Sequence, residues 1–328
     1  MSRPIHSLLG VALAAGLLVP GVLSGCSAAR APGQEAIAGE LVVFHAGSLA
    51  VPFRELSALF EATYPGVRVK AESGGSVDLA RKIADLHQPC DVLGSADTEV
   101  VRKLLVPRYA DFNIEFAVNE MVIAYTGKSR RKEELRGDNW WQVLLAGDVA
   151  FGRADPDRDP CGYRTLMLLQ LAEQHYGLPG LAGKLQAKDG NRFVRPKEAA
   201  LLAMLDAAEI DYLFIYRSVA QQHRLRMLLL PDQVNLKSHR HADLYRTASV
   251  QVRGTQPGES MTQTGSPIAY SVTITRDAPN RRAAEAYVAL LLSPKGREIL
   301  ARCGQPAIVP ARADDASKIP DTLKPWCR

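Results

Sequence analysis

Three short stretches carry most of the chemistry that can be read in this chain. Ala46-Gly47-Ser48, Ser73-Gly74-Gly75-Ser76 and Gly94-Ser95-Ala96-Asp97 each follow an apolar run and precede a segment with helical apolar spacing. A tight strand-to-helix turn leaves the first N–H groups of the helix without internal partners, and an anion can meet them. A serine at such a turn can equally cap its own helix and do nothing more. Acid–base chemistry has less to build on. The sequence contains no G-x-S-x-G elbow, no H-E-x-x-H and no compact His/Asp cluster. Ser48 has no evident base, because His45, three residues earlier on a strand, points to the opposite face. A secreted enzyme acting on phosphate esters is therefore the weaker reading beside an anion pocket.

The elements that must hold these turns alternate. LVVFHAG, VRVKAES and DVLGSAD read as strands, separated by helical patterns at 52–64, 76–86 and 98–105. The order βαβαβα predicts a parallel sheet covered by helices, with its ligand edge beyond the carboxyl ends of the strands. After Tyr109 the pattern turns to extended segments, IEFAVNEMVIAYTGK, which read as a crossing strand. A second α/β set follows, with helices at 165–176 and 197–208 and the buried strand DYLFIYRSVA. The extended stretch 248–276 closes that half, and the helix at 283–292 with the tail around GQPAIVPA returns to the first. The expectation is two discontinuous α/β lobes joined by two crossings: 40–122 with 266–328, and 123–265.

The ends and the composition bound the setting. MSRPIHSLLGVALAAGLLVPGVLSGC has a basic start, an interrupted apolar run and small residues before Cys26, so 1–25 reads as a lipoprotein signal peptide and Cys26 as the lipidated first residue of the exported chain. The run is shorter than the roughly 20 residues a membrane span requires. Residues 26–39 are small and polar, a flexible spacer behind the anchor. Net charge is +5, with Lys and Arg scattered and not interleaved with aromatics, which argues against nucleic acid as a partner. Of the remaining cysteines, Cys303 and Cys327 lie in the C-terminal tail and are expected to form a disulfide in an oxidising compartment. Cys90 heads an apolar run and reads as a small buried hydrophobe. His239 and His241, beside Lys237 in a charged loop, read as solvated.

Six motifs together, FHAGSLAVPFREL, ESGGSVDLARKIADL, DVLGSAD, DPCGYRTLMLL, DYLFIYRSVAQQH and GQPAIVPA, resemble the molybdate/tungstate-binding lipoproteins of ABC importers, from about Glu40 to Pro310. The resemblance implies a type II periplasmic-binding-protein fold, with two α/β lobes closing over tungstate or molybdate and presenting it to a membrane permease. It implies a monomer facing the periplasm or cell exterior, with no cofactor and no catalysis. By residue, it implies hydroxyl and N–H donors at Ser48 and Ser76, backbone donors from Cys161 and Gly162, a hydroxyl from Tyr216, and a backbone donor at Glu198 whose side chain is incidental. Asp159 matches an aspartate that some members use as a direct ligand of tungsten or molybdenum, together with a glutamate. Ile215 stands where that glutamate would be. Two outcomes stay open: one carboxylate ligand to the metal, or tetrahedral recognition with Asp159 merely capping its turn. Sulfate or phosphate as ligand, and a sensory module in place of a transport protein, also stay open.

Overall fold

The computed structural model describes residues 37–254 and 258–328. The expected signal peptide, Cys26 and most of the expected spacer lie outside the described residues. Among the described residues no helix is long and apolar enough to cross a membrane.

The first half of the chain runs β1 (Gly39–Ala46), a 3-10 turn (Gly47–Leu49), α1 (Ala50–Thr63), β2 (Val67–Gly74), α2 (Ser76–Ala84), β3 (Val92–Ser95) and α3 (Thr98–Leu104), the expected βαβαβα order. β1 pairs with β2 and β3 in parallel. The register places Ala46 opposite Gly74, so both serine-bearing turns leave the sheet side by side. β4 (Ile114–Val118) belongs to this sheet and β5 (Met121–Tyr125) to another, so the chain crosses at Asn119-Glu120.

The second half continues α4 (Trp140–Leu145), β6 (Phe151–Ala154), α5 (Pro160–Tyr176), α6 (Leu181–Asp189), β7 (Val194–Arg195), α7 (Glu198–Asp206), β8 (Tyr212–Tyr216), α8 (Arg217–Gln222), β9 (Arg226–Leu229) and α9 (Ala242–Tyr245). Its sheet has the order β7-β6-β8-β5-β9. The strand expected at 211–220 stops at Tyr216, and its second part forms α8. β10 (Ser249–Arg253) and β11 (Ser260–Thr264) form a separate hairpin. The chain then returns through β12 (Ala269–Ile274), α10 (Arg281–Leu292), α11 (Pro294–Arg302) and β13 (Ala307–Ala313) to complete the first sheet, β13-β4-β12-β3-β1-β2.

Two expectations need correction. The first sheet is mixed, not parallel: β12 runs antiparallel to β3 and β4, and β13 antiparallel to β4. β12 follows the second crossing and needs no helical crossover to pair antiparallel with its neighbours, whereas β13 follows β12 through α10 and α11 and lies on the other side of β4. The expected Cys303–Cys327 disulfide is absent, and both are free thiols. Cys303 closes α11, and its carbonyl accepts from Gln222 Nε2 at 2.8 Å. Cys327 is drawn instead into a bridge with Ala311, where Arg328 N donates to Ala311 O at 2.9 Å and Ala313 N to Arg328 O at 3.0 Å. Backbone bonds thus fasten the tail where a covalent link was expected. Cys90 is buried as expected, and burial pushes its thiol up to about 12.

α5 starts five residues earlier than its apolar pattern suggests. Asp159 caps it by accepting from Cys161 N at 2.9 Å, and Pro160 occupies the first position, where its missing N–H costs nothing. Gly162 has to be glycine: a Cβ there would lie 2.5–2.6 Å from backbone atoms of Ala154, Asp155 and Pro156. This close approach seats the start of α5 on the end of β6.

Candidate functional site

The first wall is built by the turns after β1 and β2. Ser48 is buried, and its Oγ has no hydrogen-bond partner. Gln305 Nε2 donates to the Ser48 carbonyl at 2.8 Å, so the C-terminal segment fixes the turn. Ser76 is the first residue of α2, and its Oγ accepts from Ala96 N at 3.0 Å, which leaves the hydroxyl proton to give. Neither serine caps its own helix: α2 is capped by Gly75 without a side-chain bond, and α1 by Leu49. Two buried hydroxyls at helix starts therefore have no structural duty as caps.

The second wall comes from α5, α7 and β8. Tyr216, at the end of β8, is fully buried, and its hydroxyl accepts from Arg164 Nη1 at 2.8 Å. Arg164 also reaches the turn after β3, donating to Ala96 O at 2.6 Å and pairing with Asp97 Oδ2 at 3.0 Å. Tyr163 donates to the same Asp97 oxygen at 2.5 Å. Arg164 thus ties Tyr216 to Ala96, the residue that orients Ser76. Sequence reasoning quoted both DPCGYR and DVLGSAD but missed this pair, since nothing local links residues 97 and 164.

The backbone donors expected from Cys161 and Gly162 are already used. Cys161 N donates to Asp159 Oδ1 and Gly162 N to Asp159 O, each at 2.9 Å. These residues shape the loop and do not turn their N–H groups to the cleft. Glu198 corrects the expectation in the other direction. Its side chain is buried with both carboxyl oxygens unpartnered, so it is not incidental. It faces the first wall closely: a Cβ on Gly47 would lie 2.9 Å from Glu198 Oε2. Burial, and then the neighbouring Asp159, hold the Glu198 carboxyl well above the usual carboxylate range. Burial raises Asp159 as well, opposed by the Cys161 N–H and by the Arg164 charge.

The walls touch. A Cβ on Gly75 would strike Arg158 O at 2.2 Å, and Arg158 Nε donates to Asp78 Oδ2 at 2.7 Å. A cavity of about 480 Å³ opens onto Gly47, Gly74, Asp159 and Glu198. A cavity of similar volume, about 460 Å³, lies beside Arg130 and Asp148, and these two are in ion pairs, Arg130 with Asp211 and Asp148 with Arg131. Size does not separate the two. Unpartnered buried polar atoms at Ser48 and Glu198 do, because such atoms are costly unless something meets them.

His45 is buried with its Nδ1 2.9 Å from Ala46 O and its ring against Phe53, and burial lowers its pKa. Among the described residues no group of three or more His, Cys, Asp or Glu could hold a metal ion, and His239 and His241 lie in a turn with no buried residue.

The chain matches the family model of the bacterial extracellular solute-binding proteins over residues 41–304. It is 47% identical over 294 residues to an uncharacterized solute-binding protein of Petrotoga mobilis, covering 90% of this chain and 92% of that one. It is 37% identical over 312 residues to the molybdate/tungstate-binding protein WtpA of Pyrococcus abyssi, covering 87% and 89%. Among solved structures, the periplasmic molybdate-binding protein of Azotobacter vinelandii superposes with a TM-score of 0.56 at 18% identity, over 81% of this chain and 98% of that one, which establishes the two-lobed periplasmic-binding fold. On the family match and the shared fold together, the chain belongs to the bacterial extracellular solute-binding protein family.

Proposed function

We propose that the protein captures molybdate or tungstate outside the cytoplasm and delivers it to the permease of an ABC importer. The observation that carries this reading is a set of buried hydroxyls with protons to give: Ser76 and Tyr216, linked through Ala96 and Arg164, and Ser48, whose Oγ has no partner. Ser76 and Tyr216 have a lone pair filled by a protein donor, so each presents its O–H outward. A fully ionised oxyanion has only acceptors and suits such a lining. The 37% identity to a protein named for molybdate and tungstate supports the same choice. Asp159 spends one oxygen on capping α5, which favours tetrahedral recognition over direct ligation of the metal. The reading is of binding without catalysis, and His45, turned to a backbone carbonyl, is not poised as a base for Ser48.

The lobes in this reading are 40–122 with 266–328, and 123–265, with the first boundary moved back to Asn119-Glu120 so that β5 stays whole. Export with a lipid on Cys26 completes the picture of a tethered monomeric receptor, and mass spectrometry of the native N-terminus tests it: a chain beginning elsewhere refutes the anchor.

Phosphate is a second reading with its own observation. Near neutral pH phosphate carries a proton, and the unpartnered carboxyl of Glu198 could accept it. Calorimetric titration with molybdate, tungstate, sulfate and phosphate separates the two. The expected result is binding of molybdate and tungstate, weakened about tenfold or more in Ser48→Ala and in Ser76→Ala, since hydrogen bonds to a charged group contribute roughly 1.5–3 kcal/mol. Preference for phosphate, or unchanged affinity in both variants, overturns the proposal.

A further inference from the structure

Tyr270 belongs to the same arrangement as Ser76 and Tyr216. It is the second residue of β12, fully buried, on the strand that follows the second crossing. Its hydroxyl accepts from Asn119 Nδ2 at 2.9 Å. The direction of that bond is fixed by the rest of the Asn119 amide. Nδ2 also donates to Ser218 Oγ at 2.7 Å, while Oδ1 accepts from Glu120 N at 2.9 Å and from Ser218 N at 3.4 Å. With Oδ1 held by two N–H groups the amide cannot be flipped, so Tyr270 must act as acceptor toward Asn119 and send its own proton elsewhere.

Its surroundings are polar groups from both walls of the cleft. The Tyr270 ring meets the Tyr216 ring edge to face, with centroids 5.9 Å apart. Ser48 lies beside its hydroxyl, and the charges of Glu198 and Arg164 bear on it as well. Ser48 Oγ is itself without a hydrogen bond. Where one of these two hydroxyls gives its proton to the other, one O–H proton of the pair is still left over; a buried proton without an acceptor is costly, and a bound anion removes that cost.

We propose that Tyr270 is a further ligand-contacting residue, its phenolic proton given to an oxygen of the bound oxyanion and its lone pair held by Asn119. The inference rests on the oxyanion reading of the cleft. It adds a donor from the strand after the second crossing, tied through Asn119 to the first, so that one amide connects a ligand contact to both points where the chain passes between the sheets. A site lined by oriented donors also disfavours any anion that carries its own proton.

Titration calorimetry with sodium molybdate on the parent, Tyr270→Phe and Tyr287→Phe tests it. Tyr287 is another fully buried tyrosine, bonded to Ser57 at 3.1 Å and packed between α10 and α1, away from the cleft. Tyr270→Phe is expected to weaken molybdate roughly tenfold to a hundredfold, the range for a hydrogen bond to a charged acceptor, and Tyr287→Phe to bind as the parent does. Parental affinity in Tyr270→Phe, or an equal loss in Tyr287→Phe, overturns the proposal. If Tyr270→Phe does not fold, Asn119→Ala decides: freeing the phenol to turn lowers affinity in the same direction, and unchanged affinity overturns the proposal. A parent that binds none of the oxyanions fails the reading of the site itself, an outcome distinct from a parent that binds and a variant that binds equally.

Discussion

Two Arg–Asp pairs join the walls of the cleft, and they differ in everything except chemistry. Arg158–Asp78 is the shorter at 2.7 Å, with side chains 46% and 26% exposed. Arg164–Asp97 is longer at 3.0 Å, with side chains 3% and 7% exposed. Distance alone would rank the outer pair first. Burial reverses the order, because water screens the outer pair and its side chains give up entropy to hold it. In the inner pair each charge has lost its water and depends on the other. That dependence does not make the inner pair a net source of stability, since two apolar residues of similar volume could serve as well. What apolar residues could not do is hold Tyr216 and Ala96 in place, which Arg164 does with the same guanidinium. The inner pair fixes the site, and the outer pair latches its rim.

The largest effect is expected from breaking the inner pair on one side. Arg164→Leu leaves Asp97 buried with Tyr163 as its remaining side-chain partner and should cost about 3–5 kcal/mol, measured by urea denaturation of the ligand-free protein. Removing both charges together, in Arg164→Leu with Asp97→Leu, should recover most of that loss. It should not recover molybdate affinity, because Tyr216 and Ala96 lose their common donor. Recovery of affinity along with stability would mean that the guanidinium does not organise the site.

The inner pair also marks the limit of what the sequence makes legible. Gly47-Ser48 and Gly75-Ser76 can be read because the signal is local: small residues directly after a strand and before a helix. The cap at Asp159-Pro160 is local too, although the apolar spacing at 165–176 hides the first turn of α5. Arg164 with Asp97, Tyr270 with Asn119, and Glu198 against Gly47 are set by which strand ends arrive together, and no spacing within a segment encodes that. The antiparallel entry of β12 and β13 has the same origin. Ser48 and Ser76 could be recognised as candidates from sequence, but only the surrounding donors and the absent caps separate them from ordinary helix starts. Tyr216 shows the reverse: a tyrosine in an apolar strand reads as core until Arg164 is seen on its hydroxyl.

A middle-sized effect is expected at the acidic corner, where Glu198 faces Gly47 across the cleft with both carboxyl oxygens unpartnered. Burial raises Asp159 from its ordinary 3.8 to about 7 and holds Glu198 well above 4.5. Both groups therefore keep protons in the folded chain at pH values where the unfolded chain has released them. Stability then falls as pH rises, because the folded state binds more protons through this window. The contribution is fully present below about pH 4 and is lost progressively as pH rises through about 7. Glu198→Gln removes one of the two groups and relieves the other. It should flatten this slope and raise ligand-free stability at pH 8 by roughly 1–2 kcal/mol. Denaturation midpoints of parent and variant at pH 5 and pH 8 measure it, and an unchanged slope would show that this corner is solvated in the folded protein.

The smallest effect is expected at the rim. Arg158→Ala removes an ion pair that is about half exposed on its arginine side, and such pairs contribute about 0–1 kcal/mol. The Arg158 carbonyl, which lies against Gly75 and accepts from Asp78 N at 3.4 Å, stays in place after the substitution. Hence the latch loses its charge and keeps its backbone contact. Stability should change by less than about 1 kcal/mol, and the difference from the parent should shrink further in added salt, because an exposed pair is screened over about 10 Å at 0.1 M ionic strength. Ligand release gives the finer measurement. If the pair helps hold the cleft shut, molybdate should leave Arg158→Ala a few-fold faster at low salt, and at the parental rate at high salt. Stopped-flow displacement at two ionic strengths reads both rates. A salt-independent loss as large as that of Arg164→Leu would mean that the rim is as dry as the interior and that exposure does not rank the two clasps.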